Sequence, residues 1–237
     1  MEIKRYKGMR DFLPELMRKK KYLIEKITEV FESFGFEPLE TPAIELWTTL
    51  SGKYGTEEKL IYRFQDKKGR DIGLRYDLTI PLARVVLMHN ITLPFKRYQI
   101  QPVWRADKPQ KGRFREFYQC DIDIVGAKSL IADAEIIDVF VNSLIAIGVK
   151  NFKVKINSRK IIKGYGEITK QNEIYISRLL DKIDKTKEEA VFSEMKSSNI
   201  NTDVFEKISE TNRESFEQQI NFFKKRVHQL NFNSGGS

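Results

Sequence analysis

Between Pro14 and Phe34 apolar side chains return every three or four residues, at Leu16, Leu23, Ile27, Val30, Phe31 and Phe34. That spacing predicts an amphipathic helix, closed by Gly35. Phe36 to Pro42 is extended and interrupted by two prolines, which suits an edge or boundary strand. Ile61–Gln65 and Asp71–Leu78, joined by Asp66-Lys67-Lys68-Gly69-Arg70, read as strand, turn and strand. Pro81–Met88 predicts a second helix with Thr79 as its cap. Lys96 to Val125 predicts a long hairpin open at Ala106–Gly112, and Asp133–Ile147 a third helix ending at Gly148. Phe152–Ile156 reads as a short strand. Beyond about Ile161 strand patterns give way to helical ones, over Glu173–Asp181, Lys187–Lys196 and Asn212–Leu230, whose Lys- and Glu-rich faces suit solvent. The change of texture places a domain boundary between 160 and 170: residues 1–162, then a helical segment 163–231, then a flexible tail 232–237.

Side chains alternate between the two faces of a strand. In Ile72–Thr79 the even positions are Ile72, Leu74, Tyr76 and Leu78, and the odd ones Gly73, Arg75, Asp77 and Thr79. Arg97–Arg105 and Phe114–Val125 divide the same way, with Arg97, Gln99, Gln101, Arg105, Arg115, Gln119, Asp121 and Asp123 all odd. Each strand thus offers one apolar and one polar face. Paired in a single antiparallel sheet, they bring Asp77, Thr79, Arg105, Gln119 and Asp123 onto one surface. An ordinary solvated sheet face has the same pattern, but two details favour a binding surface. Phe117 stands among the polar residues, where a ring serves as a platform for a planar ligand. Arginines bracket the Pro109-Gln110-Lys111-Gly112 turn, and their planar forks suit a polyphosphate. Acids and bases displayed together point to a nucleotide plus a small zwitterion. Cys120, on the apolar parity, is expected in the core, and His89 is read as structural.

The 237 residues are enough to bury a sizeable core, and 16 Phe and 9 Tyr argue against intrinsic disorder. Lys and Arg outnumber Asp and Glu by 42 to 33. Seven cationic residues against Asp107 alone fall between Lys96 and Arg115, two-thirds of the +9 net charge. A single cysteine allows no internal disulfide, and with two histidines no metal-ligand cluster is readable. No signal peptide or membrane-length apolar run is visible, so a cytoplasmic protein away from membranes is expected. Gly-rich phosphate loops and a Ser-His-Asp arrangement are missing as well.

In the order in which they stand, these residues resemble the histidyl-tRNA synthetases, a class II aminoacyl-tRNA synthetase family. Lys7-Gly8-Met9-Arg10-Asp11-Phe12-Leu13-Pro14 resembles the family's N-terminal signature, and Gly35–Pro42 its motif 1, a dimer-interface element. Leu74-Arg75-Tyr76-Asp77-Leu78-Thr79 resembles its histidine-binding strand. Pro102–Phe117 resembles motif 2 and runs into Tyr118-Gln119-Cys120-Asp121-Ile122-Asp123. The resemblance covers roughly residues 5–160, and residues 163–231 look like the start of the family's insertion domain. It implies an α+β fold, an antiparallel sheet flanked by helices and followed by a small helical insertion. It implies that Arg105 contacts the ATP α-phosphate, Arg113 the outer phosphates, and Phe117 the adenine. Asp77, Thr79 and Gln119 would hold the histidine α-amino group, and Asp123 would face the imidazole. ATP with Mg²⁺, L-histidine and tRNA(His) are the implied substrates, and a homodimer the implied assembly.

Two other readings stay open. One is a synthetase-like regulatory subunit of an ATP phosphoribosyltransferase, against which the intact Arg105, Arg113 and Phe117 set argues. The other is a non-catalytic dimerisation or interaction module. The chain departs from the family pattern in having no Arg-Gly-Leu-Asp-Tyr-Tyr-like segment, no motif 3 and no anticodon-binding domain, so it reads as an N-terminal fragment. Little histidine-dependent ATP–pyrophosphate exchange is expected of this chain alone, and an isotope-exchange assay showing robust turnover would refute that expectation.

Overall fold

A computed structural model describes residues 2–154 and, beyond them, 156, 160, 163–164, 166–167, 174–175, 177–178, 182 and 188–197. The chain divides into two compact units, Met1–Val154 and Lys155–Ser237. The first is α+β. Helix α1 runs Pro14–Ser33, with proline in its first turn, where a missing N–H costs nothing. It ends at Gly35, whose φ of +75° lets the Phe36 N–H turn back to the Phe31 carbonyl. Strand β1 (Glu37–Pro38) follows, then β2 (Ile44–Leu46), the single-turn helix α2 (Trp47–Leu50) and a 3-10 helix at Gly55–Leu60. Strands β3 (Arg63–Gln65) and β4 (Asp71–Leu74) lead to helix α3 (Thr79–Met88). The hairpin β5 (Phe95–Trp104) and β6 (Glu116–Val125) precedes helix α4 (Leu130–Ala146). Ser129 caps α4 by accepting from the Ile131 N–H.

The strands form two three-stranded sheets rather than one. The first has the order β1-β5-β6, with β1 parallel and β6 antiparallel to β5; the second is antiparallel, in the order β2-β4-β3. The expected strand 71–78 therefore stops at Leu74, and its sheet partners are β2 and β3, not the hairpin. The reason lies at Arg75: its N–H bonds the Ala43 carbonyl while its own carbonyl accepts from Trp104. The backbone thus leaves one ladder and touches the other at one residue. Residues 152–154 and 156 show no strand, since their short apolar alternation has no ladder partner beside it among the described residues.

The apolar faces do pack as their periods require. Phe31 and Phe36, Tyr98 of β5 and Val139 of α4 form one buried cluster, joined by Ile27, Val30, Ile100, Ile122, Ile124 and Ile136. A second cluster, Leu50, Ile61 and Tyr76 with Trp47, Tyr54 and Ile80, fills the space behind the smaller sheet. Cys120 is a correction, because it is exposed. Its parity is that of Ile122, but the apolar cluster ends there, and farther along β6 helix α1 sets Lys20 over the exposed Tyr118 ring in place of an apolar side chain. His89 closes α3 through its main-chain N–H to the Val85 carbonyl, and its ring lies at the surface.

In the second unit the helix expected at 187–196 is present as α5 (Glu188–Ser197), with Val191 and Met195 buried one turn apart. Residues 174–175 and 177–178 of the helix expected at 173–181 are helical, and Asn212–Leu230 lies outside the described residues.

Arg75 joins the sheets of the first unit. Its side chain is only 2% exposed; Nε donates to the Pro102 carbonyl at 2.9 Å and a terminal nitrogen to the Thr41 carbonyl at 2.6 Å. Replacing it with leucine removes two charge-assisted bonds and strands buried carbonyls, at a cost of about 2–4 kcal/mol. Arg75→Leu should therefore lower the urea midpoint steeply, while Arg63→Leu, whose pair with Asp71 is exposed, should move it little.

Candidate active site

The hairpin register decides which side chains share a face. Arg97 lies opposite Asp123, Gln99 opposite Asp121, Gln101 opposite Gln119 and Val103 opposite Phe117. Directly opposed residues of an antiparallel pair point the same way, so these eight form a ladder on the side away from α1 and α4. The β5 half of this polar face is not solvated, while its β6 half is part-exposed. Arg97 and Gln99 have no exposure and Gln101 only 9%, which makes them at least as buried as Tyr98 on the apolar side. The cover comes from Thr41. Its hydroxyl accepts from Gln99 Nε2 at 3.1 Å, its N–H donates to Gln101 Oε1 at 3.2 Å, and its carbonyl accepts from Gln101 Nε2.

Arg105 stands where β5 runs out. Its Nε donates to the Tyr76 carbonyl at 3.1 Å, and its guanidinium lies 4.2 Å from the Tyr76 ring centre and 5.1 Å from that of Phe117. Cation–π contact with both rings fixes the plane of the fork while leaving its terminal nitrogens for an anion. Arg113 is on the loop between β5 and β6, half exposed, with Nε on Asp107 at 3.0 Å. The N-terminal signature braces this loop. The Gly8 carbonyl accepts from the Arg115 N–H at 2.7 Å, and a Cβ at Gly8 would stand 2.8 Å from the Pro109 ring. Only glycine fits there, and the Gly8 φ of +91° asks for it as well.

Asp77 sits in the turn between β4 and α3. Its Oδ1 accepts from the N–H groups of Thr79 and Ile80 and from the Tyr54 hydroxyl, each at 3.1 Å. Asp77 therefore caps α3, and Thr79, expected as the cap, is instead its first helical residue with an exposed side chain. A carboxylate reaches two orphan N–H groups more effectively than a threonine already inside the turn. Tyr54 packs on Tyr76 at 4.8 Å between ring centres, and the Tyr76 hydroxyl donates to Glu57 at 2.7 Å. Burial and that bond push the Tyr76 phenol up to about 12. Burial and Asp77 push Tyr54 up further, so both remain donors.

The structure brings Phe117, Gln119 and Asp123 onto the ladder, with Arg105 at one end and Asp77 within electrostatic reach of Asp121 and Asp123. Arg113 and Thr79 lie at its margin. Gln119 Oε1 is buried without a hydrogen-bond partner. Arg97, Gln99, Thr41, Tyr54 and Tyr76 are additional. Arg97 and Gln99 share the parity of Gln119, which was readable, whereas no periodic signal surrounds Tyr54.

Comparison with known proteins places the chain in a family. The family model for histidyl-tRNA synthetase matches residues 8–231. The chain belongs to the histidyl-tRNA synthetase family. It is 48% identical over 210 residues to a histidine–tRNA ligase of Aeropyrum pernix, an overlap of 86% of this chain and 48% of that protein. A crystal structure of histidyl-tRNA synthetase from Nostoc superposes with a TM-score of 0.74 at 32% identity, covering 89% of this chain and 48% of that one. Another, from Bacillus halodurans, is described as an ATP phosphoribosyltransferase regulatory subunit/histidyl-tRNA synthetase; it gives a TM-score of 0.72 at 26% identity, covering 84% and 52%. The α+β fold expected from the resemblance is the one shared with these family members. The chain spans about half the length of the relatives it matches.

Burial raises the carboxyl pKa of both Asp121 and Asp123, and Arg97 opposes the rise only in part. A carboxyl whose folded pKa is raised favours the native state at low pH, and that contribution is lost as pH rises through the folded value. Asp121→Asn removes a desolvated charge that makes no side-chain bond on the ladder. Thermal melts should show it more stable than the parent at pH 7.5, with the gain shrinking as the pH falls into the carboxylate range.

Proposed function

We propose that this chain carries the ATP- and histidine-binding part of a histidine–tRNA ligase. The observation that carries the reading is the fork of Arg105, held between Tyr76 and Phe117 at the end of a buried ladder whose Gln119 carbonyl waits for a donor. Arg105 would meet the ATP α-phosphate, Arg113 the outer phosphates from the loop between β5 and β6, and Phe117 the adenine ring. Asp77 Oδ2, not used in capping, Gln119 and Thr79 would accept the α-ammonium, and Asp123 the imidazole. A carboxylate oxygen of histidine attacks the α-phosphorus, and the bond from that phosphorus to the bridging oxygen breaks. Histidyl-adenylate forms and pyrophosphate leaves. Cationic donors aimed at the phosphates stabilise the charge that grows there. Mg²⁺ enters as the counter-ion of ATP, and no residue of this chain is assigned to it. The acyl group then passes to the terminal ribose of tRNA(His).

Homodimerisation belongs to the same proposal. Ile44, Leu46 and Phe64 stand on one face of the β2-β4-β3 sheet, opposite Leu74 and Ile72, and are each about half exposed. Such a face suits a second copy of the chain. The cytoplasm is the proposed compartment; among the described residues no helix is long and apolar enough to cross a membrane. The regulatory-subunit reading gains from the Bacillus halodurans likeness, but a regulator has no need of the Arg105 fork. Calorimetric titration with MgATP and with L-histidine separates the readings. The ligase reading expects both to bind, with Arg105→Ala weakening MgATP at least tenfold, as loss of a charge-assisted bond does. Histidine binding without ATP favours the regulator, and binding of neither favours an interaction module.

A further inference from the structure

At the end of the ladder farthest from Arg105, the Arg97 guanidinium is wholly buried. One terminal nitrogen forms an ion pair with Asp123 Oδ2, the other reaches the Asp121 carbonyl at 3.5 Å, and Nε has no partner. One rung along, Gln99 Nε2 is engaged by Thr41 and Gln101 while Gln99 Oε1 has none. Buried polar atoms without partners are rare in folded proteins and call for an explanation such as a ligand. Here a free N–H and a free C=O face the same side as the Asp123 carboxylate.

A neutral imidazole carries one N–H and one bare nitrogen; an imidazolium carries two N–H groups and no acceptor. The Arg97 Nε–H can meet only a bare nitrogen. A carboxylate alone would favour the cation, but Arg97 offsets the charge of Asp123. The other charges acting on the pair are Asp121 on the same strand and Asp77 at the turn into α3, while Arg105 acts on Asp121 from the end of β5. Resting on the histidine reading above, we propose that Arg97 makes this site select neutral over protonated imidazole, its Nε–H meeting the bare ring nitrogen while its charge offsets that of Asp123.

The test is calorimetric titration of the 237-residue chain with L-histidine at pH 8 and pH 5.5. Free imidazole titrates near pH 6.5, so the neutral form falls about tenfold across that interval, and the wild-type Kd should rise about tenfold. Arg97→Met should bind more weakly at pH 8 yet lose that rise, its Kd flat or falling toward pH 5.5. Arg97→Lys, which keeps the charge, should keep the wild-type direction. Asp123→Asn leaves Arg97 as an unpaired cation and should bind more weakly at both pH values while keeping the full rise of about tenfold, which is the ceiling for complete selection of the neutral form. Loss of the rise in one variant and its retention in the other cannot both come from partial unfolding. A wild-type slope in Arg97→Met, or a flat or falling Kd in Asp123→Asn if the former does not fold, overturns this assignment and leaves the histidine reading intact. A wild-type chain that binds no histidine at either pH overturns both.

Discussion

One buried guanidinium holds the first unit together. Arg75 closes β4, bonds carbonyls of the Thr41 segment and of β5, and through its own backbone links the two sheets. Without that clasp, the two three-stranded sheets would be joined mainly by apolar packing, which has no direction. Hydrogen bonds from a planar fork fix an angle as well as a distance. The consequence reaches the site directly, since Tyr76 and Asp77 follow Arg75 in the chain and are aimed by it. The fork that supports Arg105 through Tyr76 is thus set one residue away from the fork that joins the sheets.

The second constraint is the cover over the ladder. Thr41 bonds the side-chain amides of Gln99 and Gln101 from a segment about sixty residues distant, and this takes the β5 half of a polar sheet face out of water. Inside, charges interact more strongly and their desolvation matters more. Asp121, Asp123 and Arg97 are therefore tuned against each other rather than against water. A surface of this composition left open to solvent would bind small polar molecules with little discrimination.

The long periodic elements were legible because a large one-sided core imposes their periods. Helix α1 and the paired parities of β5 and β6 are of this kind, as is helix α5. Strand β2 and helix α2, three and four residues long, are too short to show any period. Thr79 misled because a capping rule based on residue type does not reveal that Asp77 lies within reach of the same N–H groups. Cys120 has the apolar parity, but parity says which face a residue takes, not which side chains a helix sets beside it. The polar parity of Arg97 and Gln99 was visible from the start. Their burial was not, because it is caused by a contact remote in the chain. The register then placed Gln119, Asp123 and Phe117 on that same buried face.

Asp77 has a consequence for how such a protein changes over generations. One of its oxygens caps a helix and anchors a tyrosine, while the other is proposed to meet the ligand. Folding and recognition are written in a single carboxylate, so selection cannot adjust one without disturbing the other. A lineage that altered its ligand would first need another residue to cap α3. Until it had one, drift at this position would be closed in both respects, which makes the turn a conservative point in an otherwise adaptable surface.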